Sequence, residues 1–188
     1  VHEPTAAQIG VGVVVLEPKA NVGVDIGGGT SEIAVIALGG IVNNKSIRTA
    51  GDDFTDEIVE YMRKQHNMHI GERTAEMIKI EVGSALTQLD NPPDEYAVHG
   101  RDLVTGIPKE IMVNYSEIAH CLDKSISKIE TAVLNALEQT PPELSADIYR
   151  TGIYLTGGGA LLRGLDKRLH TKTQLPIHVA DDPLRAVA

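Results

Sequence analysis

Short runs of β-branched and apolar residues define the first part of the chain. They lie at residues 22–24, 31–38 and 41–48, and they predict three successive strands. Gly39-Gly40 separates the second run from the third, and paired glycines between apolar strands are typical of a hairpin. The sequence DIGGGT at residues 25–30 separates the first run from the second. We therefore expect a glycine turn between two paired strands.

Apolar residues spaced three and four positions apart predict helices farther along the chain. One helix should begin near residue 52, a second near residue 74, and a long third one near residue 116. Residues 95–99 and 110–113 predict two short strands between the second and third helices. A strand at 152–156 leads into three glycines and a further helix, and a last strand lies at 175–179.

This order of elements predicts an α/β fold in which a mixed sheet is flanked by helices. The stretch 52–117 interrupts a sheet-forming unit that resumes near residue 152. We therefore predict a core subdomain formed by residues 1–51 and 118–188, with residues 52–117 inserted into it as a smaller α/β subdomain.

Two glycine runs, at 27–29 and 157–159, carry the candidate chemistry. Without a Cβ, their backbone N–H groups can close around an anion such as a phosphate. Asp25 lies where the first strand ends, and a carboxylate is favourable beside a phosphate when a cation such as Mg²⁺ lies between them. The second run joins a strand to a helix, so we expect the helix N-terminus to attract an anion too. Each run alone is a weak signal, because glycine hairpins are commoner than nucleotide sites.

Other candidate residues have ordinary interpretations as well. Glu3 lies at a helix start, where an acid is favourable on the helix dipole; the alternative is that it orients a water for attack on a phosphate. Glu76 and Lys79 are three residues apart and form a surface ion pair in the simplest interpretation. Gly83 falls inside the second predicted helix, which indicates that another group packs close to its backbone.

Composition narrows the classes of function. A net charge of -9 over 188 residues disfavours nonspecific binding to nucleic acid or to an anionic membrane surface. The one cysteine, Cys121, excludes an internal disulfide and fits a reducing cytoplasm. The chain begins at Val1 and stops at Ala188 soon after a helix signal, so we expect it to belong to a longer protein.

Three motifs, taken in order, resemble the actin-like ATPases, a superfamily that also contains DnaK-type chaperones and sugar kinases. They are EPTAA at residues 3–7, DIGGGT at 25–30 and TGGGALL at 156–162. Within that superfamily, GERTAEMIKI at 71–80 and IVNNKSIRTAGD at 41–52 resemble the bacterial actin homologues that determine rod shape. The resemblance implies a ribonuclease H-like ATPase lobe, the second of two large domains.

Carried over position by position, the resemblance implies two catalytic residues. Glu3 would position the hydrolytic water, and Asp25 would act in the second phosphate loop and face the metal. Glu76 and Lys79 would reach the adenosine from the inserted subdomain, and the glycines at 157–159 would pass close beneath it. The residues assigned to nucleotide binding are Gly27, Gly28, Gly29, Thr30, Glu76, Lys79, Gly83, Gly157, Gly158 and Gly159.

The resemblance also implies ATP and Mg²⁺ as ligands, and hydrolysis as a timer for filament assembly. We expect ATPase activity in the full-length protein and little in this chain alone. The implied partners are further copies of the protein, a membrane-anchored adaptor of the RodZ type and the membrane itself, through regions outside this chain. The implied location is cytoplasmic, in membrane-associated filaments, with no role for nucleic acid. The alternatives are a chaperone or sugar kinase lobe of the same superfamily, or an interaction module without turnover.

Overall fold

A computed structural model describes residues 19–38 and 40–184. These residues form two compact units. The first unit contains the described residues up to Gly51, the segment Ser127–Leu161 and the described residues from Leu165 onward. The second unit contains Asp52–Ile126 and Leu162–Gly164. The helix start predicted near Glu3 lies outside the described residues.

Eight strands and five α-helices are found in the described part of the chain. In chain order they are β1 (Asn21–Ile26), β2 (Ser31–Ala37), β3 (Gly40–Ile47), α1 (Gly51–His66), β4 (Met68–His69), α2 (Glu72–Val82), β5 (Tyr96–Asp102), β6 (Pro108–Val113), α3 (Tyr115–Glu138), α4 (Ser145–Thr151), β7 (Ile153–Thr156), α5 (Leu165–Thr173) and β8 (Ile177–Val179). Short 3-10 helices follow α3 at Pro142–Leu144 and β7 at Gly158–Leu161.

The first unit is built on a five-stranded mixed sheet with the order β3-β2-β1-β7-β8. β1 pairs antiparallel with β2 and parallel with β7. Every residue of β1 is buried, as expected for a central strand covered on both faces. β3 alternates between exposed and half-buried positions because it is an edge strand. The loops that follow β1 and β7 therefore leave the sheet side by side.

The second unit contains α1, α2, the first part of α3 and a three-stranded sheet with the order β4-β5-β6. The apolar stripes of its helices are buried, with Phe54, Ile58 and Met62 of α1 at 0–1% exposure. Ala75, Ile78 and Val82 form the buried face of α2, as their spacing predicted.

The predicted α/β class with a mixed sheet is confirmed, and so is the long helix with its buried stripe from Ile118 to Val133. The residue that caps this helix is Asn114, whose Oδ1 accepts a hydrogen bond of 2.9 Å from the N–H of Glu117. The exact subdomain boundaries stay a prediction. None of the helices in the described ranges is long and apolar enough to cross a bilayer.

Candidate functional site

The glycine turn between β1 and β2 is closed at its base and exposed at its tip. The Gly27 N–H donates to the Thr30 carbonyl at 3.0 Å, and the Gly27 carbonyl accepts from the Gly51 N–H, also at 3.0 Å. Gly28 and Gly29 are exposed, and a Cβ at Gly29 would meet nothing within 4 Å. The turn thus presents bare backbone to solvent on a fixed base, as a phosphate-binding loop requires.

Asp25 lies one residue before the end of β1 and is 4% exposed. Its Cα partners are Glu32 on β2 and Thr156 on β7. Glu32 is in turn paired with Ser46 on β3, whose hydroxyl donates to the Glu32 carboxylate at 2.6 Å. Because residues in register point to the same face of a sheet, these four polar side chains form one row across four strands.

The Thr156 hydroxyl in this row is buried, and it has no hydrogen-bond partner in the described part of the chain. A buried hydroxyl without a partner is unfavourable, so its position requires a reason. The row is a suitable place for Mg²⁺, which is usually held by one or two carboxylates together with phosphate oxygens and waters. Asp25 would supply the carboxylate, so the donors present fit such an ion.

The second glycine run lies directly against the first. Gly157 has φ of +81°, and a Cβ there would lie 2.4 Å from both Asp25 Oδ1 and the Ile26 carbonyl oxygen. A Cβ at Gly159 would lie 2.2 Å from Ile26 Cγ2. Glycine is needed at both positions because the end of β1 occupies the space that a side chain would fill. The structure therefore brings the two predicted glycine runs together around Asp25.

One part of the prediction for this second run is wrong. The glycines do not lead straight into an α-helix whose N-terminus could bind an anion, because the four-residue 3-10 helix Gly158–Leu161 follows and α5 begins only at Leu165. The Gly157 N–H donates to the Pro183 carbonyl at 2.9 Å. This N–H is already satisfied within the first unit, so Gly157 serves the site through its shape.

Glu76 and Lys79 belong to the second unit and lie on α2. Lys79 Nζ is 2.8 Å from Glu76 Oε2, and the lysine side chain is 17% exposed. Thr55 of α1 donates to Glu76 Oε2 at 2.8 Å and accepts from Lys79 Nζ at 3.1 Å. The ion pair expected from the sequence is therefore present, and a buried hydroxyl from another helix joins both of its charged groups.

The pKa of Glu76 lies below its ordinary value. Desolvation alone would raise this pKa, but the hydrogen bonds from Lys79 and Thr55 and the lysine charge together outweigh it. Glu76 is therefore held as a carboxylate. No spacing rule could have identified Thr55 as its partner, since Thr55 is 21 residues away along the chain.

Gly83 does not lie inside a helix, contrary to the sequence prediction. It follows the last residue of α2 with φ of -64° and ψ of 137°, and its N–H donates to the Lys79 carbonyl. A Cβ there would lie 2.1 Å from that carbonyl oxygen and 3.1 Å from Leu162 Cδ1. The expected close packing is present, and it is mainly against the end of the same helix that carries Lys79.

The predicted site residues thus form two groups. Asp25, the turn 27–30 and the run 157–159 lie together in the first unit, whereas Glu76, Lys79 and Gly83 lie together in the second. Glu3 lies outside the described residues. A mixed sheet flanked by helices is the class of fold found in actin-like ATPases.

Comparison with known proteins identifies the family. A model described as MreB/Mbl protein matches residues 1–188. The chain is 47% identical over 187 residues to the cell shape-determining protein Mbl of Bacillus subtilis, covering 100% of this chain and 56% of that protein. It is 48% identical over 191 residues to the cell shape-determining protein MreB of Escherichia coli, covering 100% of this chain and 54% of that protein. The chain belongs to the MreB/Mbl family.

Solved structures agree with this assignment. Crystal structures of MreB5 of Spiroplasma citri bound to AMPPNP and to ADP are 41% identical to the chain, with TM-scores of 0.94 and 0.95. The alignments cover 99% and 100% of this chain, and 55% and 56% of those chains. The chain therefore spans about half the length of the relatives it matches.

Proposed function

We propose that this chain is the nucleotide-binding half of a filament-forming bacterial actin-like ATPase that contributes to rod shape. The observation that carries the proposal is the contact of the two glycine runs around the buried Asp25. Family membership and the nucleotide-bound MreB5 structures support it. They favour this function over a chaperone or sugar kinase lobe.

In this proposal, positioning and electrostatics perform most of the chemistry. The exposed backbone of Gly28, Gly29 and Thr30 would bind phosphate oxygens, while Gly157 and Gly159 would let the second run pack against the end of β1 beside Asp25. Asp25 would hold Mg²⁺ directly or through its waters, and the ion would neutralise charge on the phosphates. Glu3 would orient the attacking water, as the family resemblance implies.

Glu76 and Lys79 would bind the adenosine of a nucleotide. Their carboxylate and ammonium groups supply an acceptor and a donor in a fixed arrangement. Bound ATP would favour filaments made of further copies of the protein, and hydrolysis would time their disassembly. A membrane-anchored adaptor of the RodZ type and the cytoplasmic membrane surface would be the further partners.

The test is phosphate release by the intact polypeptide, that is, by the full-length protein. We expect Asp25→Ala, Asp25→Asn and Glu3→Ala each to slow ATP turnover by at least about tenfold, the usual scale for loss of a group that positions metal or water. Asp94→Ala removes an exposed carboxylate outside both groups of site residues and should leave turnover unchanged. Normal turnover in the Asp25 and Glu3 variants would contradict the assignment. Circular dichroism should show that all four variants are folded.

A further inference from the structure

The hydroxyl of Thr55 lies between the two charged side chains that the proposed function assigns to adenosine binding. It donates to Glu76 Oε2 at 2.8 Å and accepts from Lys79 Nζ at 3.1 Å. The Glu76 carboxylate and the Lys79 ammonium are themselves 2.8 Å apart, so the three groups form a closed triangle. Thr55 is 2% exposed, whereas the Glu76 side chain is 45% exposed.

This difference in burial separates two roles within the triangle. Glu76 is accessible and can still accept a hydrogen bond from a ligand, because a carboxylate has about four acceptor positions. Thr55 is covered by protein and cannot reach a ligand. A threonine hydroxyl offers one donor and two acceptor positions, so it can bond both charged groups at once.

Without a third partner, an exposed Glu–Lys pair on a helix would be loosely ordered. Two long side chains three residues apart on a helix gain little from their attraction, because fixing both in one arrangement costs rotamer entropy. A buried hydroxyl anchored on another helix supplies a fixed point for both of them.

We propose that Thr55 is a positioning residue, which fixes Glu76 and Lys79 in the arrangement that binds the adenosine end of the nucleotide. This inference rests on the proposed function. Thr55 lies on α1 and contacts no nucleotide itself. Through Thr55, the first turns of α1 would contribute to nucleotide specificity in the second unit.

The test compares Thr55→Val, which removes the hydroxyl at nearly constant shape, with Thr55→Ser, which keeps it. Calorimetry on the intact polypeptide should show ATP binding weakened about tenfold by Thr55→Val, in line with the loss of hydrogen bonds to charged groups. Thr55→Ser should bind ATP within about twofold of the unsubstituted protein. Thr55→Ala, which also lacks the hydroxyl, repeats the test with a smaller side chain should Thr55→Val unfold.

Inorganic tripolyphosphate with Mg²⁺ is the matched control ligand, because it carries the phosphates without the adenosine. Its affinity should be the same in all variants. Equal ATP affinity in the valine and serine variants would overturn the inference while leaving the proposed function intact. Parallel losses of ATP and tripolyphosphate affinity would also overturn it, since they would indicate a general structural effect.

A ligand-free measurement separates this inference from the proposed function. Carbon-13 NMR of the Glu76 carboxyl should show a higher pKa in Thr55→Val than in Thr55→Ser, since the valine cannot donate to the carboxylate. An identical Glu76 titration in both variants would refute the positioning role. No ATP binding by the unsubstituted protein would refute the proposed function, and with it the adenosine-binding part of this inference.

Discussion

The two groups of site residues present different chemical groups to a ligand. In the first unit, the glycine turns offer backbone, and their shape depends on the absence of side chains at Gly157 and Gly159. In the second unit, the triangle of Thr55, Glu76 and Lys79 offers side chains held by one another. The shape of the backbone site therefore depends on the fold of the first unit. The side chains of the triangle, in contrast, can be replaced while the fold of the second unit is retained.

Substitutions at the two sites should therefore have different effects. Adding a side-chain atom at Gly157 or Gly159 should strain or unfold the first unit before it affects binding. Removing an atom from the triangle should affect binding with little loss of stability, because partly exposed ion pairs contribute little to folding.

The largest expected effect is that of Gly157→Ala. Its backbone has φ of +81°, and the new Cβ would lie 2.4 Å from the Ile26 carbonyl oxygen. We expect a loss of roughly 2–4 kcal/mol in the free energy of unfolding, which combines backbone strain with a steric clash. Urea unfolding monitored by circular dichroism measures it.

Gly29→Ala is the matched control for that variant. A Cβ at Gly29 meets nothing within 4 Å, and its φ is outside the left-handed range. Its stability should change by less than about 1 kcal/mol, while ATP affinity falls because the methyl group covers exposed backbone of the turn. Equal destabilisation by Gly29→Ala and Gly157→Ala would contradict the role given to the contact with β1.

The next effect is that of Glu76→Gln and Lys79→Met in the second unit. Each should weaken ATP binding by about tenfold, the amount expected for one charged hydrogen bond. Each should change the free energy of unfolding by less than about 1 kcal/mol. Calorimetry and urea unfolding on the same samples give both values. A loss of stability without a loss of ATP affinity would show that the pair serves folding and not binding.

A smaller effect is expected for Thr156→Val. The Thr156 hydroxyl is buried without a hydrogen-bond partner in the described residues, so replacing it by a methyl group removes an unfavourable burial. The ligand-free protein should become more stable by up to about 1 kcal/mol. A loss of stability measured by thermal unfolding would show that the hydroxyl is satisfied in solution.

The smallest effect concerns pH. The folded-state pKa of Glu76 lies below the ordinary glutamate value of 4.5, so its carboxylate stabilises the folded state above pH 4.5. This contribution is lost as pH falls through the folded-state pKa. The difference in unfolding free energy between the unsubstituted protein and Glu76→Gln should be constant above that pH and shrink below it. A difference that grows as pH falls would contradict a lowered folded-state pKa of Glu76.

Much of the first unit was predictable from the sequence because glycine runs and β-branched strands are local signals. The strands around residues 25–30 and the pairing of their ends follow from the pattern alone. The contact between Gly157 and Asp25 does not, because parallel pairing of β1 with β7 joins segments far apart in the chain. The 3-10 helix after Gly157 was also missed, since three glycines leave several turn geometries equally accessible.

Less of the second site was predictable. The spacing of Glu76 and Lys79 gave an ion pair, which exists, but its burial and its third partner depend on how α1 packs against α2. Gly83 was expected within a helix because the apolar stripe continues to Ala85. The helix ends at Val82, where the Gly83 N–H closes its last turn.

The two glycine runs are proposed to belong to one nucleotide-binding site. Selective nitrogen-15 labelling of glycine in the intact polypeptide, followed by NMR during titration with ATP and Mg²⁺, tests it directly. We expect the amide signals of Gly28, Gly29, Gly158 and Gly159 to shift together with one dissociation constant, while that of Gly106 in the β5–β6 loop stays fixed. Binding of ATP that shifts the signals of only one run, or of neither, would contradict it.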